Sequence, residues 1–130
     1  MDVRHAIAAE EFRRRIERVA REAGDRGLDG MLVWSRGGGA VDRCGDVLWL
    51  TNYYNPWPAV PDSKWWSGQG FVAALVTSEG RCVLITNVPS NEWRDALVVC
   101  DAFTDEPFIH VGAARCVQEA GLASARVGLA

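Results

Sequence analysis

The sequence predicts an α/β fold in which helices flank a mixed, parallel and antiparallel, sheet of about five to six strands. Two features support this prediction: an amphipathic segment near the start of the chain, and two apolar, β-rich runs joined by a three-residue turn near its middle. The hairpin requires antiparallel pairing, whereas the helices between strands imply crossover connections. The length of 130 residues is that of one domain, so we expect residues 1–130 to form a single unit.

The composition is that of a globular chain and argues against two kinds of partner. Apolar residues make up 48% of the chain and charged residues 24%. The formal net charge of −3 disfavours nucleic acid, which requires a basic face. No apolar run approaches the ~20 residues of a membrane span, and residues 1–5 lack the apolar core of a signal peptide. We therefore expect a cytoplasmic protein that binds neither nucleic acid nor a membrane.

The first third of the chain predicts a helix followed by a buried strand. Residues 8–26 have apolar side chains at the spacing of a buried stripe, with arginines and glutamates on the other faces. Gly27 is the candidate for the left-handed residue that ends this helix. Residues 31–35 form an apolar run and are predicted as a strand. The following Gly37-Gly38-Gly39 does not match the spacing of a nucleotide-binding loop, so a flexible connection is favoured over phosphate binding.

A second strand and a long aromatic loop are predicted next. Residues 42–45 are expected to form a turn or a single helical turn, and residues 47–50 a strand that ends at residues 51–53. Residues 55–70 then form a proline-containing loop of about fifteen residues, a length at which loops are usually either functional or disordered. The aromatic side chains in this loop argue against disorder.

The clearest local signal is a β-hairpin. Residues 71–77 and 81–86 are β-rich runs, and Ser78-Glu79-Gly80 between them is a turn that ends in glycine. Both runs are almost continuously apolar. We therefore expect this hairpin in the middle of the sheet, covered on both faces.

The last third alternates between helix and strand. A short helix is predicted over residues 87–95, with Pro89 in its first turn and Ser90 as a possible cap. The remaining predictions are a strand or helix end at 96–100, a loop at 103–107, a helix at 108–120 closed by Gly121, and a last strand at 125–130.

No constellation of catalytic or metal-binding residues stands out. The two histidines, His5 and His110, are far apart, and no His-Glu-x-x-His pattern exists. Ser67 lacks the leading glycine of a Gly-x-Ser-x-Gly nucleophile signature. We therefore assign no catalytic residue, no metal ligand and no cofactor to this chain.

The four cysteines are widely spaced, and no Cys-x-x-Cys pattern is present. Cys82 and Cys100 lie in apolar runs and are predicted to be reduced, buried thiols. Cys44 is the best candidate for an exposed thiol. It has no histidine near it in the sequence that would activate it as a nucleophile.

The aromatic segment is the one candidate binding surface. It contains Tyr53, Tyr54, Trp57, Trp65 and Trp66. These side chains offer large apolar areas with polar tips, which is typical of binding surfaces and subunit contacts. Two interpretations remain open: the segment lines a substrate site or an interface, or it packs against the end of its own sheet.

Five segments together resemble the N-terminal domain of the creatinase, prolidase and Xaa-Pro aminopeptidase group, the pita-bread metallohydrolases. They are residues 11–16, 27–33, 46–53, 80–86 and 126–129. Trp49-Leu50-Thr51-Asn52-Tyr53 resembles the family's aromatic-Leu-Thr-Gly-aromatic turn, with Asn52 where the family usually has glycine. The segments follow one another in the family's order along nearly the whole chain.

This resemblance implies a ribonuclease-H-like domain that has no catalytic activity of its own. Catalysis would belong to a pita-bread domain after residue 130, which holds two divalent metal ions through Asp, His and Glu side chains. The N-terminal domain would help to form a homodimer and let its loops reach the active site of the neighbouring subunit. Trp57, Trp65 and Trp66 would then line that site. The alternative is a free-standing module that binds a small ligand or a protein through the aromatic loop 53–66.

Overall fold

A computed structural model describes residues 7–36, 45–54, 71–88 and 92–130 of the chain. These residues form a five-stranded mixed sheet with helices on both faces, which confirms the predicted fold class. The elements are α1 (Ala9–Asp25), β1 (Gly30–Arg36), α2 (Gly45–Thr51), β2 (Phe71–Thr77), β3 (Cys82–Thr86), α3 (Glu92–Asp95), β4 (Ala102–Asp105), α4 (Ile109–Glu119) and β5 (Val127–Leu129). Within the described ranges, no helix has the length and apolar character that crossing a membrane requires.

The strand order is β4-β3-β2-β1-β5. Strand β2 is antiparallel to both β1 and β3, whereas β5 is parallel to β1 and β4 is parallel to β3. Every strand except β2 therefore points in the same direction. The ends of these strands, near Ser35, Thr86 and Asp105, lie along one side of the sheet, which we call the carboxyl edge.

The predicted hairpin is confirmed and lies in the middle of the sheet. Gly80, in its turn, has a φ of +94°, a backbone conformation that glycine adopts readily. Successive side chains of a strand point to opposite faces, so each arm contributes to two cores. Val72 and Leu84 pack with α1 and α2 on one face, and Leu75 and Ile85 pack with α4 on the other.

The predicted first helix is confirmed as α1. It buries Phe12, Ile16, Ala20 and Ala23, which form the expected stripe. Gly27 has a φ of +71°, and the N–H of Leu28 donates to the carbonyl of Ala23 at 2.9 Å. This arrangement satisfies a carbonyl at the helix end, as predicted for a glycine-terminated helix.

The predicted strand at residues 47–50 is wrong, because these residues belong to helix α2. Val47, Leu50 and Thr51 are buried at helical spacing, and Trp49 is exposed. Short apolar runs do not distinguish a strand from a buried helix. Both edges of β1 are occupied by β2 and β5, so this segment packs across the sheet instead of joining it.

The region between β3 and α4 also differs from the prediction. The predicted loop at 103–107 contains strand β4, and the predicted strand or helix end at 96–100 has neither form. The N–H of Val99 donates to the carbonyl of Thr51 at the end of α2, at 2.8 Å, instead of to a strand. Of the predicted helix at 87–95, the structure describes α3; Pro89 and Ser90 lie outside the described residues.

The predicted last helix and strand are confirmed as α4 and β5. Gly121 follows α4 with a φ of +73°. Helix α4 lies close against the sheet at Gly112, where an added Cβ would come within 2.9 Å of Ile85 Cγ2 and 2.8 Å of Glu106 Cβ. Because Ile85 is fully buried, a side chain at position 112 has no free space.

This close approach gives a test of the packing. Gly112→Ala is expected to destabilise the fold by about 1–3 kcal/mol, because overpacking outweighs the better helix propensity of alanine. Gly24→Ala is the matched control, since a Cβ at Gly24 meets nothing within 4 Å, and it should stabilise the fold by up to about 1 kcal/mol. Urea unfolding of both variants measures the difference. Equal effects would contradict the proposed contact between α4 and β3.

Candidate functional site

The carboxyl edge is where the described chain connects to the predicted loops. Arg36 ends β1 and pairs with Phe71, the first residue of β2. Val88 follows β3, and Tyr54 follows Tyr53, whose hydroxyl reaches Thr86. The segments 37–44, 55–70 and 89–91 lie outside the described residues, and each is joined to this edge. Open α/β sheets usually bind ligands beyond the carboxyl ends of their strands, so this edge is the candidate site.

Three buried polar side chains, Ser35, Thr51 and Thr86, lie near this edge. The Ser35 hydroxyl accepts the N–H of Val47 at 3.1 Å, which joins the start of α2 to the end of β1. The Thr86 hydroxyl accepts the N–H of Val88 at 3.2 Å. Among the described residues, every fully buried side-chain nitrogen and oxygen has a hydrogen-bond partner.

The end of α2 is built around Thr51 and Tyr53. The Thr51 hydroxyl donates to the carbonyl of Val47 at 2.7 Å and accepts the N–H of Tyr53 at 3.2 Å. The Tyr53 ring is fully buried, and its hydroxyl shares a hydrogen bond of 2.7 Å with the hydroxyl of Thr86. These bonds connect α2 to β3 through the core, so the residue that precedes Tyr54 has a defined position.

Asn52 turns the chain between Thr51 and Tyr53. Its φ of +62° makes it the one residue other than glycine with a positive φ in the described parts of the chain. Asparagine tolerates this left-handed conformation better than most residues with a side chain. Its amide Nδ2 donates to the carbonyl of Leu97 at 3.0 Å, which ties the turn to the segment after α3.

The predicted lining residues have different surroundings. Tyr53 is 0% exposed and packs in the core, whereas Tyr54 is 45% exposed. Trp57, Trp65 and Trp66 lie outside the described residues. The role of these five residues as a substrate-lining or interface surface therefore stays a prediction, in which Tyr54 is the one described side chain with a large solvent-facing surface.

Trp49 is an exposed aromatic side chain that the predicted strand did not reveal. It is 46% exposed on α2, and the guanidinium of Arg15 lies 5.0 Å from its ring centroid. Arg15 lies equally far from the ring of Phe12 and donates to the carbonyl of Trp49 at 2.8 Å. Cation–π contacts of this kind stabilise exposed sites by about 0.5–1 kcal/mol. Helical spacing over residues 45–51 is the signal that would have placed Trp49 at the surface.

The three described cysteines are free thiols, and the surroundings of Cys82 and Cys100 disfavour ionisation. Burial, followed by the neighbouring Cys100 and Asp101, raises the pKa of Cys82 to about 12. Burial, followed by Asp101, raises the pKa of Cys100 to about 11. A thiolate is the reactive form of cysteine, so neither thiol is activated as a nucleophile. Both are free thiols, as predicted, and Cys82 is buried, whereas Cys100 is only partly buried. Cys44 lies outside the described residues.

The described residues contain no group of three or more His, Cys, Asp and Glu side chains that could hold a metal ion. His110 lies in α4, as the sequence predicts, and its ring contacts Phe108 edge-on at 5.9 Å.

Comparison with protein-family models and with curated protein sequences finds no match to this chain.

The bond between Tyr53 and Thr86 can be tested by removing one hydroxyl. Tyr53→Phe is expected to lower the free energy of unfolding by about 1–2 kcal/mol, because it deletes a buried hydrogen bond. Tyr54→Phe, the adjacent and exposed tyrosine, should change it by less than about 0.5 kcal/mol. Chemical denaturation of both variants measures the two values. A Tyr53→Phe variant as stable as Tyr54→Phe would refute the role of this bond.

The raised pKa values of Cys82 and Cys100 predict how the stability of the fold depends on pH. Below pH 9 these thiols are protonated in both the folded and the unfolded chain, so their contribution to stability is fully present. Above the ordinary value of 9.0, the unfolded chain releases these protons first, and stability falls as the pH rises towards about 11 and 12. The Cys82→Ala/Cys100→Ala variant should lose less stability than the parent between pH 9 and 11. Urea unfolding at several pH values measures this difference. An equal loss of stability in the variant and the parent would contradict the contribution of the two thiols.

Proposed function

We propose that this chain is the non-catalytic N-terminal domain of a cytoplasmic metallohydrolase of the creatinase, prolidase and Xaa-Pro aminopeptidase group. In this proposal it helps to assemble a homodimer, and its aromatic loop lines or gates the substrate entrance of the neighbouring subunit. The two divalent metal ions are held by the catalytic domain that follows, and no residue of this chain binds them. The geometry of the turn at residues 49–53 is the observation that carries the proposal.

Four of the five positions of this turn, residues 50–53, have a structural reason to match the family's aromatic-Leu-Thr-Gly-aromatic pattern. Leu50 is buried in the core, and Thr51 caps its own helix end through two hydrogen bonds. Asn52 has the positive φ that glycine adopts most readily. Tyr53 fills the core and bonds to β3. The departure from glycine at position 52 therefore keeps the backbone conformation that the pattern requires.

The same turn supports the role of the loop. It directs Tyr53 into the core and leaves Tyr54 exposed, immediately before residue 55, where the predicted loop begins. A loop that presents aromatic side chains to a partner must start from a rigid element, because ordering it on binding costs entropy. In this proposal Tyr53 is the internal support, and Tyr54, Trp57, Trp65 and Trp66 are the contacting residues.

The first experiment measures the mass of the native protein, with an antibody raised against residues 1–130. A band far heavier than 14.3 kDa is expected, because the proposal requires a catalytic domain in the same chain. A band at 14.3 kDa would remove the hydrolase proposal. It would favour a free-standing binding module, which quenching of tryptophan fluorescence by candidate ligands would then examine.

The second experiment tests the loop in the full-length protein. Replacing Trp57, Trp65 and Trp66 together with alanine is expected to raise KM for an Xaa-Pro dipeptide about tenfold or more, since aromatic residues dominate contact energies. Glu79→Ala, in the hairpin turn at the other end of β2 and β3, is the control and should leave KM unchanged. Light scattering reports the dimer. An unchanged KM together with an intact dimer would refute the role of the loop.

A further inference from the structure

A groove of about 730 Å³ lies between α1 and the edge strand β5. It exists because α1 packs on β1, β2 and α2, while β5 is the last strand on that side of the sheet. Gly128 lies on the floor of the groove, where there is no space for a side chain, because a Cβ at this position would overlap the sulfur of Met31. Most of the lining is apolar, including Val19, Ala23, Met31 and Leu129, and Trp49 stands at one side.

Of the two arginines that line the groove, one has an ion-pair partner and one has none among the described residues. Arg26 is paired with Glu22 at 2.8 Å, and both line the groove. Arg18 lines this groove and also the adjoining hollow of about 410 Å³ beside Trp49. Among the described residues, Arg18 has no ion-pair partner, whereas Arg14 and Arg15 share Glu11. Among the residues that the structure describes, the groove therefore combines an apolar floor with one positive charge, that of Arg18, which no ion pair offsets.

We propose that this groove binds a small amphipathic carboxylate. Its apolar body lies on Val19, Ala23 and Met31, and its carboxylate pairs with the guanidinium of Arg18. The volume is within the range of small-molecule sites, which are mostly apolar with a few polar groups that orient the ligand. The flat fork of a guanidinium matches the two oxygens of a carboxylate. The lining includes none of Ser35, Thr51, Tyr53 and Thr86 of the carboxyl edge, and this proposal does not depend on the proposed hydrolase role.

The balance of charge selects a monoanion. Arg18, Arg26 and Glu22 are the charged residues of the lining, and the last two neutralise each other. A dianion such as phosphate would face one unbalanced charge and the carboxylate of Glu22, and an ammonium ion would be repelled by Arg18. The groove of about 780 Å³ on the α4 face, which contacts Trp34 and Val117, has no Asp, Glu, Lys or Arg in its lining. That surface can take an apolar molecule but cannot select its head group by a fixed charge.

Isothermal titration calorimetry with three probes of equal chain length tests the proposal. Octanoate should bind the protein more tightly than octan-1-ol, and octylamine should bind most weakly. Arg18→Gln should weaken octanoate binding about fivefold, the size expected for an exposed charged contact, and leave octan-1-ol binding unchanged. Arg21→Gln is the matched control: Arg21 is exposed on the same helix, three residues away, and lines neither hollow. The Arg21→Gln variant should bind octanoate and octan-1-ol with the affinities of the parent protein.

A second variant tests the apolar floor. Val19→Phe is expected to weaken octanoate and octan-1-ol by a similar factor, because the larger side chain fills the groove, while the preference for octanoate remains. Circular dichroism confirms that each variant is folded. The proposal is overturned if octanoate does not bind, if octan-1-ol binds equally well, or if Arg18→Gln and Arg21→Gln give the same affinity. Octan-1-ol binding that Val19→Phe leaves intact would place the alcohol on the α4 face.

Discussion

The double-sided burial of the central hairpin is the constraint on which the rest of the structure depends. Strands β2 and β3 have almost no solvent-facing side chain, so both faces of the sheet must be covered. Helices α1 and α2 cover one face and α4 covers the other. Strands β1 and β4 then satisfy the outer hydrogen bonds of the hairpin. The close approach of α4 at Gly112 and the burial of α2 both follow from the requirement to enclose these two strands.

Hydrogen bonds of buried hydroxyl groups join the core to the residues of the carboxyl edge. Burial of an unpaired hydroxyl is costly, so each buried hydroxyl at this edge has a hydrogen-bond partner, and two of these bonds join different elements. Ser35 joins β1 to α2, and the bond between Tyr53 and Thr86 joins α2 to β3. The turn at Asn52 can therefore hold an unusual backbone conformation, because the residues on either side of it are held in the core. The position of Tyr54, next to the predicted aromatic loop, is a consequence of core packing.

The two proposed sites adjoin at Trp49, which opens the turn at residues 49–53 and lines the groove, but they would bind through different interactions. At the carboxyl edge, the core holds Tyr53 in a fixed position, and in our proposal the predicted loop would supply aromatic contact area. The groove beside β5 has a mostly apolar lining and includes Arg18, which has no ion-pair partner among the described residues. In our proposal, the first site would contribute a protein surface to the active site of a neighbouring subunit. The second is suited to a small molecule with one negative charge.

Local patterns in the sequence were sufficient to predict α1, the hairpin and α4. Each of these elements is marked by its own hydrophobic periodicity or turn residue, which does not depend on distant parts of the chain. Gly27, Gly80 and Gly121 all have the positive φ that ends or turns these elements. The sequence also located an aromatic candidate surface and the motif at residues 49–53. It could not separate the buried Tyr53 from the exposed Tyr54, because adjacent residues of one type differ only in what the fold places beside them.

The sequence by itself was sufficient to predict the α/β class, the central hairpin and the free thiols of Cys82 and Cys100. Tertiary structure alone decided that residues 45–51 form a helix and residues 102–105 a strand, since a short apolar run takes the form that fits the pairing positions still available. It also decided which arginines of α1 have an ion-pair partner among the described residues. Arg13 pairs with Asp101 across the fold, whereas Arg18 faces an apolar groove. Such pairings join residues far apart in the chain, and no local pattern encodes them.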